Sequence, residues 1–187
     1  MSARTVRAGT AVPAIGLVFT GCALLASRAL LSPPSGATRP VLGAVIFGSI
    51  LAASLLAPAA HGPERLRPAA VLAVGLGAVA LAAAVAGTPV PLVAAAWTLP
   101  LSLLAAVAEE ALFRRVAYAQ LERWGVPVAI VGSAALFALV HLPLYGTAAL
   151  PVDLGAGLVF GWQRWASGSW TVPAATHAAA NLVAVIR

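Results

Sequence analysis

The sequence predicts an all-α protein: a polytopic transmembrane bundle of about seven helices. Three observations carry that expectation. The 187-residue chain is 61% hydrophobic and only 9% charged, where a soluble domain carries about 25% charged residues. A soluble chain this apolar would lack the polar surface to cover itself. Apolar runs near the length of a spanning helix, about 20 residues, recur from end to end. No alternating strand pattern interrupts them, and an open sheet edge has no hydrogen-bond partners in lipid.

The runs are 11–31, 41–59, 69–87, 92–122, 126–142, 147–164 and 170–186. Between them stand "SPPSGATRP" at 32–40, "HGPERLRP" at 61–68, "GTPVP" at 87–91, "RWG" at 123–125, "PLYG" at 143–146 and "WASGSW" at 165–170. Each of these breaks carries Pro or Gly, which end helices. Arg4 and Arg7 precede the first run as in a signal peptide, and "FTGC" at 19–22 resembles a lipoprotein cleavage site. Phe19 stands three before Cys22, however, and the run continues as "ALLAS", so 11–31 reads as a first transmembrane helix. The run 92–122 is longer than one span, with Pro100 able to kink it. If one run lies flat, six helices cross. Gly157 and Gly161 have GxxxG spacing, which lets two helix backbones approach closely. Asp153, after Pro151, reads as a first-turn acid favoured by the helix dipole.

The net charge is +6, and all eleven basic residues are Arg. They are scattered between apolar runs, so they mark helix ends and not a nucleic-acid surface. Basic loops favour the cytoplasm. With the N-terminus inside, Arg4, Arg7, Arg65, Arg67, Arg123 and Arg164 are cytoplasmic, and Arg28, Arg39 and Arg187 are outside. Trp124, Trp162, Trp165 and Trp170 fall at the same interface, as an aromatic belt would. Cys22 is the only cysteine, which excludes an intrachain disulfide and a cysteine-based metal site.

Against this background the polar residues inside the runs stand out: Glu109, Glu110, Arg114, Arg115, His141, His177 and Asn181. An ionisable group in a span costs roughly 2.5–3.5 kcal/mol and normally faces a partner inside the bundle. Glu110 and Arg114 are i,i+4, on one helix face, and form an ion pair. Glu109 lies about 100° around the helix, free to face a cavity. Taking Gly125 as a turn, Glu109 lies sixteen residues before it and His141 sixteen after. At 1.5 Å per residue, both are roughly 24 Å from the turn, level on neighbouring helices. His177 and Asn181, nine and thirteen residues past Gly168, lie roughly 14–20 Å deep by the same rule.

A Glu and a His sharing a water make a general base. A second His and an Asn amide supply donors for a developing oxyanion. Together these specify hydrolysis of an acyl bond, most simply a peptide. Cys22 and Ser133 have no evident base beside them, and GxSxG is absent. Glu109, His141 and His177 form an alternative zinc ligand set, but HExxH is absent and Asn is a poor zinc ligand. The alternatives from another class are a membrane scaffold that keeps the cavity as a binding site and a proton-coupled transporter.

In these residues the sequence resembles the CPBP family, the type II CAAX prenyl endopeptidases also called Abi proteins. The family pattern is EExxxR, FxxxH and HxxxN. Here it reads Glu109-Glu110…Arg114, Phe137…His141 and His177…Asn181, all in order. The resemblance divides the chain into N-terminal helices over 1–90, without family signal, and a core over 91–187. It implies an intramembrane endopeptidase. Glu109 and His141 activate water, His177 and Asn181 form the oxyanion site, and Glu110, Arg114 and Phe137 support them. No cofactor is expected, with zinc as the variant. The expected partners are a peptide or membrane-protein substrate and the lipid bilayer. The layout implies a multi-pass protein of a bacterial cell membrane, where family roles include peptide processing and self-immunity to bacteriocins.

Overall fold

The computed structural model describes residues 8–31, 38–58, 61–86 and 96–186, and among them every regular element is a helix. Seven helices follow in order: α1 Ala8–Leu31, α2 Thr38–Leu56, α3 Pro68–Val85, α4 over 98–121, α5 Val126–Tyr145, α6 Leu150–Ser167 and α7 Thr171–Ile186. Each matches one of the seven apolar runs, with ends moved by a few residues. Arg4, Arg7, Arg187 and the "GTPVP" break fall outside the described residues, as do 32–37 of "SPPSGATRP".

Local sequence explains the helix ends. Proline stands in the first turn of α3, α5 and α6 (Pro68, Pro127 and Pro151), where its missing N–H has no partner to lose. Pro100, able to kink a longer helix, is the third residue of α4 and sits in that same permissive turn. The irregularity of α4 comes later. Thr98–Glu110 is α-helical, Ala111–Ala117 is π-helical, and Tyr118–Leu121 returns to α. A π segment inside an α-helix is uncommon and recurs at functional sites.

α5 packs most extensively on α6, α4 on α7 and α2, and α3 on α7 and α6, while α1 lies against α5. The α5–α6 contact is close because of the GxxxG pair. A Cβ on Gly157 would stand 2.9 Å from the Cα of Ala134, and one on Gly161 would stand 3.2 Å from the Cα of Ile130. The packing role expected for this motif is the one it has. We predict that Gly157→Leu overpacks the contact and costs about 1–3 kcal/mol or more, read as a lower unfolding midpoint in detergent. Gly77→Ala, where an added Cβ meets nothing within 4 Å, is the neutral control.

α3 and α5 are long and apolar enough to cross a membrane. In α3 the apolar window has a mean hydropathy of 2.2 with only 11% of it buried. The core helix of a soluble domain would be covered, so this surface calls for an apolar environment. The apolar stretches of α1, α2 and α7 are shorter (Pro13–Ala29, Pro40–Leu56 and Thr171–Ile186).

The segment before α3 closes over the end of α6. The backbone N–H of Gly62 donates to the carbonyl of Gly168 (3.0 Å), and those of Arg65 and Leu66 donate to that of Ala166 (3.0 and 2.9 Å). Arg65 also lies 5.1 Å over the Trp165 ring. Trp162 and Trp165 pack on Val71, Ala166 and Val172, while Trp124 is exposed with Arg123 over its ring. Gly168 has φ +69°, and a Cβ there would meet the Gly62 carbonyl oxygen at 2.5 Å. The left-handed conformation alone costs a non-glycine residue about 1–3 kcal/mol. Gly168→Ala is therefore expected to lower the unfolding midpoint by more than Gly77→Ala changes it.

Candidate active site

The two adjacent acids of α4 are both buried, and each is held by one arginine and one histidine. Glu109 Oε1 accepts from Arg28 Nη1 of α1 at 3.2 Å, and its Oε2 lies 3.6 Å from His141 Nε2 of α5. Glu110 Oε1 accepts from Arg114 Nη1 at 3.2 Å and lies 3.1 Å from His177 Nδ1 of α7. Successive residues point about 100° apart on a helix, so one acid faces α1 and α5 while the other faces α7. The result is two parallel triads, Arg28–Glu109–His141 and Arg114–Glu110–His177. The level match of Glu109 and His141 expected from their distance to Gly125 is realised in that 3.6 Å separation.

Phe137 organises both imidazoles. Its backbone carbonyl, one turn back on α5, stands 2.7 Å from His141 Nδ1. A carbonyl only accepts, so Nδ1 donates, and in the neutral ring Nε2 carries the lone pair toward Glu109. The Phe137 ring lies 4.7 Å from the His141 ring and 5.5 Å from the His177 ring, edge-on to the latter. Tyr145 stacks on the outer face of His141, and Phe160 stacks on His177. The FxxxH spacing thus supplies both an anchor for the ring nitrogen and a wall for the ring.

Arg114 is fully buried. Besides Glu110 it donates from Nη2 to the Gly157 carbonyl at 3.0 Å, and its guanidinium lies 4.9 Å over Phe137 and 5.3 Å over Phe160. The close α5–α6 packing at Gly157 therefore also sets the height of a carbonyl that Arg114 needs. Arg115 turns the other way and donates to the carbonyls of Ser54 and Ala57 at the C-terminal end of α2, the favourable place for a cation. Arg164, read in the sequence as a cytoplasmic helix-end charge, is buried. Its Nε donates to the Arg114 carbonyl at 3.1 Å, and its guanidinium lies 5.2 Å from the Tyr118 ring. Within a π segment the carbonyls leave their regular i+4 partners, so a side-chain donor here has a clear physical reason.

Besides Arg164, two placements differ from the sequence reading. Arg28, expected as an outer loop charge, reaches into the site and pairs with Glu109. Asn181, expected beside His177, donates from Nδ2 to the Ser102 carbonyl at 3.0 Å, one turn further along α7. Asp153 is in the first turn of α6, as expected. Phe137 lies against both imidazoles, Glu110 against His177, and Arg114 against Glu110.

The three members of the alternative zinc set are not gathered around one point in this arrangement. Zinc takes its ligands at about 2.0–2.3 Å around one point. Glu109 and His141 face each other, and His177 gives Nδ1 to Glu110, with its Nε2 left for another partner. Among the described residues no three His, Cys, Asp or Glu side chains are grouped to hold a metal ion.

Fold and site together define an all-helical bundle with a buried double acid–imidazole centre. Residues 89–183 match the family model described as "Type II CAAX prenyl endopeptidase Rce1-like". The chain belongs to that family, which is a family of peptidases. No curated protein and no solved structure matches the chain.

Proposed function

We propose that the chain is a multi-pass intramembrane endopeptidase in which Glu109 and His141 activate the attacking water. The observation that carries this reading is the pair of acceptors, Glu109 Oε2 and His141 Nε2, facing one another at 3.6 Å. That separation exceeds a direct hydrogen bond, and two acceptors need a proton or a water between them. A water bound to both loses a proton to the pair as its oxygen attacks the scissile carbonyl. The pair then returns the proton to the leaving amine. His177 and Asn181 polarise the carbonyl. Because His177 Nδ1 faces a carboxylate that pairs with Arg114, donation from its Nε2 requires the imidazolium, for which Glu110 is the counter-ion. Asn181 keeps a second amide N–H beyond the one given to Ser102. The N-terminus is assigned to the cytoplasm on the remaining loop arginines.

The test is cleavage of a peptide library by the full chain in detergent, with wild type, Glu109→Ala and His141→Ala, each with and without a chelator. Loss in both variants, by about 10²-fold or more, with no chelator effect supports the reading. Loss on chelation, restored by zinc, replaces it with metal-dependent hydrolysis. A wild type that cleaves nothing favours a binding or immunity protein.

A further inference from the structure

Arg28 lies on α1, outside the family-matched residues 89–183 and 81 positions before its partner Glu109. Its guanidinium takes Glu109 Oε1 and leaves Oε2 for His141. It also stands 5.2 Å over the Phe47 ring and lines a cavity of about 280 Å³ between α1, α2, α4 and the end of α5. Leu42, Ile46, Trp97, Leu101 and Tyr145 supply apolar and aromatic wall. One side chain thus touches both the cavity and the carboxylate. Its place relative to Glu109 parallels that of Arg114 relative to Glu110, so each Glu–His pair has its own arginine. Glu110 has that arginine on its own helix, whereas Glu109 receives one from α1.

We infer that Arg28 is a positioning residue for the reaction: it fixes which oxygen of Glu109 meets His141, and so α1 completes the site. This rests on the reading that Glu109 acts on water. A carboxylate can rotate about its terminal bond, and a guanidinium held by an aromatic face removes that freedom. Near-attack geometry is sensitive on this scale, since a 1 Å misplacement costs about 10²-fold in rate.

The experiment compares wild type, Arg28→Ala, Arg28→Lys and the cavity-wall variant Leu42→Ala, all full chains in detergent, for kcat and KM on a peptide that wild type cleaves. Arg28→Ala is expected to lower kcat by about 10–100-fold with KM changed less than about threefold. Arg28→Lys, which keeps a cation for the single Oε1 contact, recovers most of that loss. Leu42→Ala leaves kcat within about threefold. Wild-type kcat in Arg28→Ala, equal loss in the Ala and Lys variants, or a change confined to KM overturns the inference. A wild type that cleaves nothing rejects the protease reading instead, and thermal unfolding of Arg28→Ala, Glu109→Ala (which removes the acceptor) and the double variant then decides whether the clamp exists. If the double variant falls no further than the larger single one, to within about 2 °C, the two groups act as a pair; additive losses show they do not.

Discussion

Glu109→Gln is expected to lower kcat by about 10²–10⁴-fold while leaving the protein as stable as wild type, or more so. Glutamine is nearly isosteric with glutamate, and its amide oxygen still accepts from Arg28. Its amide nitrogen is a donor, and it would face His141 Nε2, whose lone pair is left exposed by the Nδ1 contact to Phe137. The substitution turns an acceptor–acceptor pair into a donor–acceptor pair and removes the group that takes the proton. Sites that keep an unfavourable polar arrangement for function gain stability when it is relieved. The checks are kcat on a cleaved peptide and the unfolding midpoint of the same preparation. Retained kcat removes Glu109 from the chemistry. A scaffold or immunity protein would instead keep its biological effect in this variant.

Much of the fold and part of the site were legible in the sequence, for separable reasons. The seven helices follow from apolar runs and the Pro and Gly between them, because a backbone in lipid must satisfy its own hydrogen bonds. The Glu110–Arg114 pair follows from helical spacing alone. The Glu109–His141 approach follows from counting rise on either side of Gly125, a local hairpin. What was not legible depends on contacts distant in sequence. Arg28 is three residues from the end of α1, where a basic residue ordinarily marks the interface, and nothing local ties it to an acid 81 residues away. One signal was available: two buried acids with a single i,i+4 arginine leave one acid owed a cation. The π segment at Ala111–Ala117 has no composition of its own, whereas a proline such as Pro100 is visible in the sequence. Asn181 was placed by its spacing from His177, but α7 runs past α4 so that one turn further brings it to Ser102.

Arg114→Ala is the substitution expected to cost most in stability, about 3–5 kcal/mol. Three effects add in the same direction. Glu110 loses its guanidinium and keeps His177 alone as a buried partner. The Gly157 carbonyl loses its side-chain donor. The space of the largest fully buried side chain in the bundle is emptied among Phe113, Phe137 and Phe160, and a void there loses contacts on all sides. At about 2–4 °C per kcal/mol for a chain of this size, the midpoint should fall by roughly 6–20 °C. Arg114→Lys should fall part of the way, since a point ammonium does not span Glu110 and Gly157 as the planar fork does. The double variant Glu110→Gln, Arg114→Met separates the charge and packing effects from the Gly157 contact. With both charges gone and the volume largely kept, a buried ion pair is often replaced at little net cost. The double variant should therefore recover more than half of the Arg114→Ala loss in midpoint. If it recovers none, the loss comes from what both variants share, the missing side-chain donor to the Gly157 carbonyl, and neither the ion pair nor the volume accounts for it. If Arg114→Ala itself unfolds at the wild-type midpoint, the buried pair does not hold α4 to α6 and α7 in the way argued for the site.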